Sequence, residues 1–329
     1  MSSSEADKGK KTTPIEMYQA NLKSIPSDIS ALLSSYSGIP ADQQNAHITQ
    51  VRNQAYKTHP YPCLGRWRFL ELDLANHPLY HSHVLPALLA KDQKGEHEQA
   101  EAETWMFLDL GTCLGQDIRK LIFDGADVSR LYGADLKPEF IDMGYALFRD
   151  EDKFPRDHFI APADVFDLST ETELSKECDG KVGILQVSAV FHLFDLEKQK
   201  IMAQRCLRLL DPRRKRVLLC GGQVGNVNAS EFPRARGGGT RFRHNEESWR
   251  QMWEEAVGGG NGEWKGKIQG VEVGCVMEER LFPEQMATSV GGQDEGEQPN
   301  NTQRQIGSVE EGFRWMKCHE RRVDEQGEA

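Results

Sequence analysis

From Trp105 onward, short apolar runs alternate with amphipathic stretches. Met106-Phe107-Leu108-Asp109-Leu110 has the pattern of a buried strand that stops at Gly111. Ile118, Leu121, Ile122 and Gly125 then fall at i, i+3, i+4 and i+7, one face of a helix. Leu131 to Ala134 predicts a second strand, and Pro138 the first turn of a helix with Phe140, Met143 and Leu147 on its apolar face. His158 to Ala161 and Val182 to Val187 predict strands three and four. Asp195 is placed to cap a helix carrying Ile201, Met202, Arg205 and Leu209, which Asp211-Pro212 stops. Val217 to Cys220 predicts the fifth strand. A Gly-rich loop is expected over 221–240, then a helix with Trp249, Met252, Trp253 and Ala256 on one face. Two more strand-like stretches lie near 264–280 and 312–323.

Repeated strand–helix alternation implies an α/β fold, a parallel sheet covered on both faces. No fixed period recurs, so a solenoid is excluded. Residues 14–90 look helical and irregular, while 1–12, 91–103 and 287–311 are almost purely polar. The expected organisation is a disordered tail over 1–12 and a helical cap with its linker over 13–103. A single ligand-binding domain follows over 104–325, with a polar insertion at 287–311.

Composition narrows the function classes. The 329 residues hold 40 Lys+Arg against 51 Asp+Glu, a formal net charge of -11. That balance disfavours nucleic acid and anionic lipid as partners. The seven cysteines are scattered and form no C-x-x-C pair, so neither a zinc ribbon nor a disulfide framework is expected. The N-terminus lacks the basic and apolar regions of a signal peptide. The longest apolar run, Val182 to Phe194, contains Gln186, Ser188 and His192 and is too short and polar to span a bilayer. A soluble cytoplasmic protein with no membrane partner is expected.

In open α/β sheets ligands bind beyond the carboxyl ends of the strands. After strand one stands Asp109-Leu110-Gly111-Thr112-Cys113-Leu114-Gly115, where Gly111 and Gly115 permit a tight turn and close backbone approach. Asp135 follows strand two, placed to accept ribose hydroxyls. Asp164 follows strand three and suits an adenine amine, with Val165 and Phe166 beside the ring. In this order the three acids point to an adenosine-containing ligand. The turn is G-x-x-x-G with Cys113 at the second glycine position of a dinucleotide fingerprint, so a pyrophosphate is disfavoured. Asp109 suits a cationic amine instead, which S-adenosylmethionine carries. No Walker-type lysine follows the turn, which disfavours phosphoryl transfer.

Phe107 to Gly111, Asp135 and Asp164 resemble the first three motifs of class I S-adenosylmethionine-dependent methyltransferases. Tyr61 to Arg66, Gly115 to Leu121, Leu131 to Asp135, Ala163 to Asp167, Phe191 to Phe194, Gln223 to Asn228 and Phe242 to Trp249 resemble fungal methyltransferases of meroterpenoid clusters. The likeness covers roughly Tyr56 to Trp253 and a terminal strand at Trp315; Cys113 departs mildly from the pattern. It implies a Rossmann-like sheet with an antiparallel C-terminal pair, an N-terminal helical cap and a homodimer. It also implies methyl ester formation on an apolar carboxylic acid. Cofactor contacts are then expected from Asp109, Gly111, Gly115, Asp135, Leu136, Asp164, Val165 and Ser188, and substrate contacts from Tyr61 and Arg66.

His192 is open to two roles. A phenol or alcohol acceptor would need it as a base, whereas an ionised carboxylate needs none and leaves it to position or pack. A ligand-binding partner without catalysis, or a dehydrogenase, are the other classes weighed, the latter disfavoured by the missing G-x-G-x-x-G. Arg68 is expected in a surface ion pair, and Trp249 and Trp253 in the core. His77, His81 and His83 lack an acid or cysteine at ligand spacing, so no metal is expected.

Overall fold

The computed structural model describes residues 18–89, 105–214, 216–234, 238–258, 271–279 and 314–322, with only the backbone given for 278–279 and 314–322. The expected tail 1–12, linker 91–103 and insertion 287–311 lie outside the described residues.

The amino-terminal part is helical. α1 (Ser27–Ser35) and α2 (Ala41–Thr58) both follow a proline, Pro26 and Pro40. Short helical turns α3 (Pro62–Gly65) and α4 (Leu85–Leu88) continue the segment. The sheet strands are β1 (Phe107–Leu110), β2 (Leu131–Ala134), β3 (Phe159–Ile160), β4 (Ile184–Gln186) and β5 (Leu218–Gly225), followed by β8 (Val271–Glu279) and β9 (Arg314–Arg322). Their order is β3-β2-β1-β4-β5-β9-β8. The first five run parallel, and β9 is antiparallel to both its neighbours. This is the expected Rossmann-like α/β sheet with its antiparallel C-terminal pair. The strand order reverses at β1 and β4, so their carboxyl ends open the crevice where such sheets take ligands.

Helices α5 (Gln116–Phe123), α6 (Pro138–Phe148), α7 (Glu173–Cys178), α8 (Leu196–Leu209) and α9 (Glu246–Gly258) cover the sheet. Pro138 occupies the first turn of α6, and Asp195 Oδ1 accepts the Lys198 N–H as the cap of α8. Trp249, Met252, Trp253 and Ala256 of α9 are all buried.

Several expectations are corrected. Residues 221–240 are not one loop. β5 runs on to Gly225, and a separate hairpin of β6 (Ser230–Pro233) and β7 (Thr240–Arg243) follows. Gly221 keeps the strand going: a Cβ there would meet the Val187 carbonyl oxygen at 2.1 Å, so only glycine lets β5 pass the end of β4 so closely. β3 is shorter than expected because Arg156–His158 form a 3-10 turn, with a ring nitrogen of His158 on the Leu131 carbonyl at 3.0 Å. Ile201 is exposed, and Met202, Ala203 and Cys206 form the buried face of α8 with Leu209.

Arg119 of α5 is fully buried beside a fully buried Asp150. Its Nε and Nη2 donate to the two carboxylate oxygens at 2.8 and 3.2 Å. Nη1 donates to the Leu114 and Gly115 carbonyls at 3.3 and 3.4 Å, so the same guanidinium carries the strand-one turn. The rings of Tyr145, Phe148, Phe154 and Phe159 lie 4.9 to 5.5 Å from it. Tyr36, next to the end of α1, donates its hydroxyl to Asp150 Oδ2 at 2.8 Å. His47 of α2 contacts the Leu147 carbonyl at 2.9 Å, so the helical segment is tied to α6 as well.

Breaking a buried ion pair strands the surviving charge. Asp150→Ala is expected to lower the unfolding free energy in urea by about 3–5 kcal/mol. Tyr36→Phe should cost about 1.5–3 kcal/mol, the net worth of one hydrogen bond to a charged group. An Asp150→Ala loss below that of Tyr36→Phe would overturn this account.

Candidate active site

A cavity of about 660 Å³ opens at the carboxyl ends of β1, β2 and β4, roofed by the helical segment and the hairpin. Its first wall is the strand-one turn. Gly111 has φ +83°, and a Cβ there would meet Val190 Cγ2 at 2.4 Å, so the turn needs glycine. The Gly111 and Thr112 N–H groups donate to the Ala134 carbonyl, folding the turn over the end of β2. Cys113 adopts φ 52° without being glycine. Asp135 Oδ2 accepts its N–H at 2.9 Å, while Oδ1 accepts the Lys137 N–H. The strand-two acid therefore holds the strand-one turn in shape.

The expected residues divide. Tyr61, Arg66, Asp109, Gly111, Asp135, Leu136, Asp164, Val165, Ser188 and His192 all line the cavity. Gly115 does not. It stands behind the turn at φ +67°, where a Cβ would lie 2.3 Å from Arg119 Nη1, so it makes room for the buried arginine. Asp164 Oδ1 accepts the Phe166 N–H at 2.9 Å, an Asx turn that shapes the third loop. Ser188 Oγ accepts the Gly222 N–H at 3.3 Å, joining β4 to β5. Arg68 makes the expected ion pair, with Glu71 at 3.2 Å, and also lines the cavity. His77 is buried, with Nδ1 accepting the Leu79 N–H. No group of three or more metal-binding side chains occurs among the described residues. No described helix is long and apolar enough to cross a membrane.

Charge is segregated along the cavity. Asp73, Asp109, Asp117 and Asp135 lie toward the β1 and β2 ends. Burial pushes the Asp109 carboxyl up to about 7, against a hydrogen bond from Thr112 Oγ1 at 2.8 Å and helped by nearby Asp135. Burial, Asp109 and Asp73 push Asp117 well up too. Asp117 Oδ1 accepts the Leu74 N–H and Oδ2 accepts from Gln186 Nε2, both at 3.1 Å, so it joins the helical segment to β4. Gln116 Oε1 and Gln186 Oε1 are buried without a hydrogen-bond partner and belong to cavity-lining residues. An acid-rich wall with two unpartnered buried acceptors suits a cationic ligand with N–H or O–H groups.

The other end is cationic. Arg68, Arg241 and Arg243 surround His192, and burial together with these charges holds the imidazole well below its ordinary range. His192 is therefore neutral. Its Nδ1 accepts the Val224 N–H at 3.3 Å, which leaves the proton on Nε2. Arg243 Nη1 donates to the His192 carbonyl at 2.6 Å. The reading of 221–240 as a loop concealed Arg241 and Arg243. The overlooked signal is their i, i+2 spacing, which puts both on one face of a strand. Gln186 was legible only as a polar interruption of an apolar run.

A family model described as the meroterpenoid methyltransferase N-terminal domain matches residues 17–70. The O-methyltransferase phiE of Fungal sp. (strain ATCC 74256) is 36% identical over 241 residues, 73% of this chain and 74% of that one. The methyltransferase adrK of Penicillium roqueforti is 34% identical over 247 residues, 73% of this chain and 80% of that one. Among solved structures, a putative S-adenosylmethionine dependent methyltransferase from Listeria monocytogenes superposes with a TM-score of 0.42 at 10% identity, covering 74% of this chain and 97% of that one.

The raised Asp109 carboxyl has a consequence for stability. Between the ordinary carboxylate range and about pH 7, Asp109 is protonated in the fold and ionised in the unfolded chain. Folding then takes up a proton, so this group's contribution falls as pH rises toward 7 and is flat above it. Asp109→Asn cannot ionise and escapes the penalty. In the ligand-free protein it should raise the melting temperature more near pH 8 than near pH 5; an equal effect at both would refute the assignment.

Proposed function

The chain belongs to a family of fungal O-methyltransferases, and from that premise we propose that it methylates a carboxylate of a fungal secondary metabolite. The product is a methyl ester and the cofactor is S-adenosylmethionine. The acceptor is a meroterpenoid or related polyketide–terpenoid acid. In this proposal 13–103 acts as a cap, and 104–325 is the cofactor domain.

The cofactor's fit rests on the acidic wall. Asp109, Gln116 and Gln186 offer acceptors where an α-ammonium group would lie, and Asp135 keeps lone pairs for ribose hydroxyls. Val165 and Leu136 supply apolar contact for an adenine, with Asp164 at its edge. When bound, S-adenosylmethionine supplies an electrophilic methyl group. The chain's own residues hold the acceptor oxygen in line and keep water away.

The observation that carries the carboxylate is the state of His192. A phenol or alcohol must lose a proton, and a base must have a lone pair to take it. The Nδ1 lone pair of His192 already accepts the Val224 N–H, and its Nε2 is the protonated nitrogen. His192 is thus set up to donate a hydrogen bond to an acceptor that is already anionic. A carboxylate is ionised near neutral pH and needs no base.

Two outcomes test this. His192→Ala should lower kcat by less than about tenfold and leave the pH–rate profile unchanged in shape, whereas loss of a general base costs about 10²–10⁴ and is relieved at high pH. Cofactor binding, followed by calorimetry, should tighten as pH rises to about 7, because Asp109 must ionise to pair with the ammonium group. Binding that is flat across that range would remove Asp109 from the cofactor site.

A further inference from the structure

The hairpin of β6 and β7 has no counterpart in the sheet, yet it delivers two guanidiniums to the cavity. Its other contacts are fixed. Arg234 Nη2 donates to the Leu193 carbonyl at 2.7 Å, and its Nε to the Thr240 carbonyl at 3.2 Å. The Phe242 N–H donates to the Phe194 carbonyl at 2.9 Å. Arg243 is buried and engaged with the His192 carbonyl at 2.6 Å. These bonds lock the hairpin onto the turn that carries His192.

Arg241 is different. It lines the cavity, yet its buried Nε has no hydrogen-bond partner. No carboxylate lies within ion-pair distance of it among the described residues. The charges acting on it are cationic: burial lowers its affinity for the proton, Arg234 lowers it further, and Arg241 in turn does the same to Arg243 and His192. A half-buried guanidinium among like charges is unfavourable unless an anion joins it. Arg68, by contrast, has Glu71, and Arg243 has the His192 carbonyl.

We propose that Arg241 is the specificity-determining residue of the acceptor site, receiving the substrate carboxylate beside His192 Nε2 while Arg243 and Arg234 position it. The inference rests on the carboxylate reading above and adds the group that enforces it. A guanidinium on one carboxylate oxygen leaves lone pairs on the other for attack on the methyl carbon. The O–C bond forms, the C–S bond breaks with its electron pair passing to sulfur, and no proton moves. The ester is neutral, so the ion pair to Arg241 is lost as product forms. The residue thus favours substrate over product. Because it holds the charged ground state, it governs KM more than kcat.

The probe is a farnesylated hydroxybenzoic acid, with its carboxamide and its methyl ester as uncharged twins. Binding is measured by calorimetry with S-adenosylhomocysteine present. The unaltered protein should prefer the acid to either twin by more than about tenfold. Arg241→Gln should abolish that preference and leave S-adenosylhomocysteine affinity within about twofold, which also shows that the variant is folded. Arg241→Lys should restore only part of it, since the charge returns without the planar guanidinium. With the acid as substrate, Arg241→Gln should raise KM more than it lowers kcat. A preference that survives Arg241→Gln overturns this inference alone. Equal binding of all three compounds by the unaltered protein sinks the carboxylate reading itself.

Discussion

The buried pair of Arg119 and Asp150 is the constraint on which the site depends. One guanidinium supports the Leu114 and Gly115 carbonyls behind the strand-one turn, and the carboxylate receives Tyr36 from the helical segment. Such a pair earns little net stability, because desolvation offsets most of its Coulomb gain. What it contributes is register. Gly115 and Gly144 make the arrangement possible: a Cβ at Gly115 would strike Arg119, and one at Gly144 would strike the Leu114 carbonyl oxygen at 2.5 Å. The turn, α6 and the helical segment therefore share a common anchor, and the cavity between them is shaped by groups that never touch its contents.

On the proposed reaction, the segregation of charge in that cavity has a direct purpose. The acidic wall faces a cationic cofactor and the arginine cluster faces an anionic acceptor. Methyl transfer converts a sulfonium and a carboxylate into a neutral thioether and a neutral ester. A reaction that annihilates charge is favoured when water is removed from both partners, because water stabilises the separated ions more than the transition state. The fold supplies opposite charges at the two ends of one cavity. The net charge of -11 is spread over the whole chain and does not report this local opposition.

The sheet was legible in the sequence wherever a period sufficed. β1, β2 and the faces of α5, α6 and α9 follow from spacing alone, and the cap of α8 from one aspartate. Periodicity failed where a contact distant in sequence decided the outcome. Gly221 belongs to a strand because of the Val187 carbonyl, which no local pattern reveals. The resemblance puts Gly115 in a ligand-binding turn, and no local pattern reveals the arginine four residues on for which it makes room. The strand-end acids Asp109, Asp135 and Asp164 were legible from position in the fold class, and all three reach the cavity. Arg241 and Arg243 were not, since nothing local says that a hairpin folds back onto the 192–194 turn.

The walls of the cavity also differ in how firmly they are held. The β1 and β2 end is braced by the Arg119 pair, by Asp135 on the Cys113 N–H and by Asp117 on the Leu74 N–H. Asp150 and Asp117 are buried and hydrogen-bonded, which makes their loss costly. The opposite wall is a two-stranded hairpin outside the main sheet, held by backbone carbonyls of the 192–194 turn. A two-stranded ribbon has little stability of its own, so its order follows from those few bonds. A cofactor is the same molecule in every turnover and benefits from a stiff wall. On the proposed reaction the braced wall therefore belongs with the cofactor and the hairpin wall with the acceptor, in the same sense as the charges.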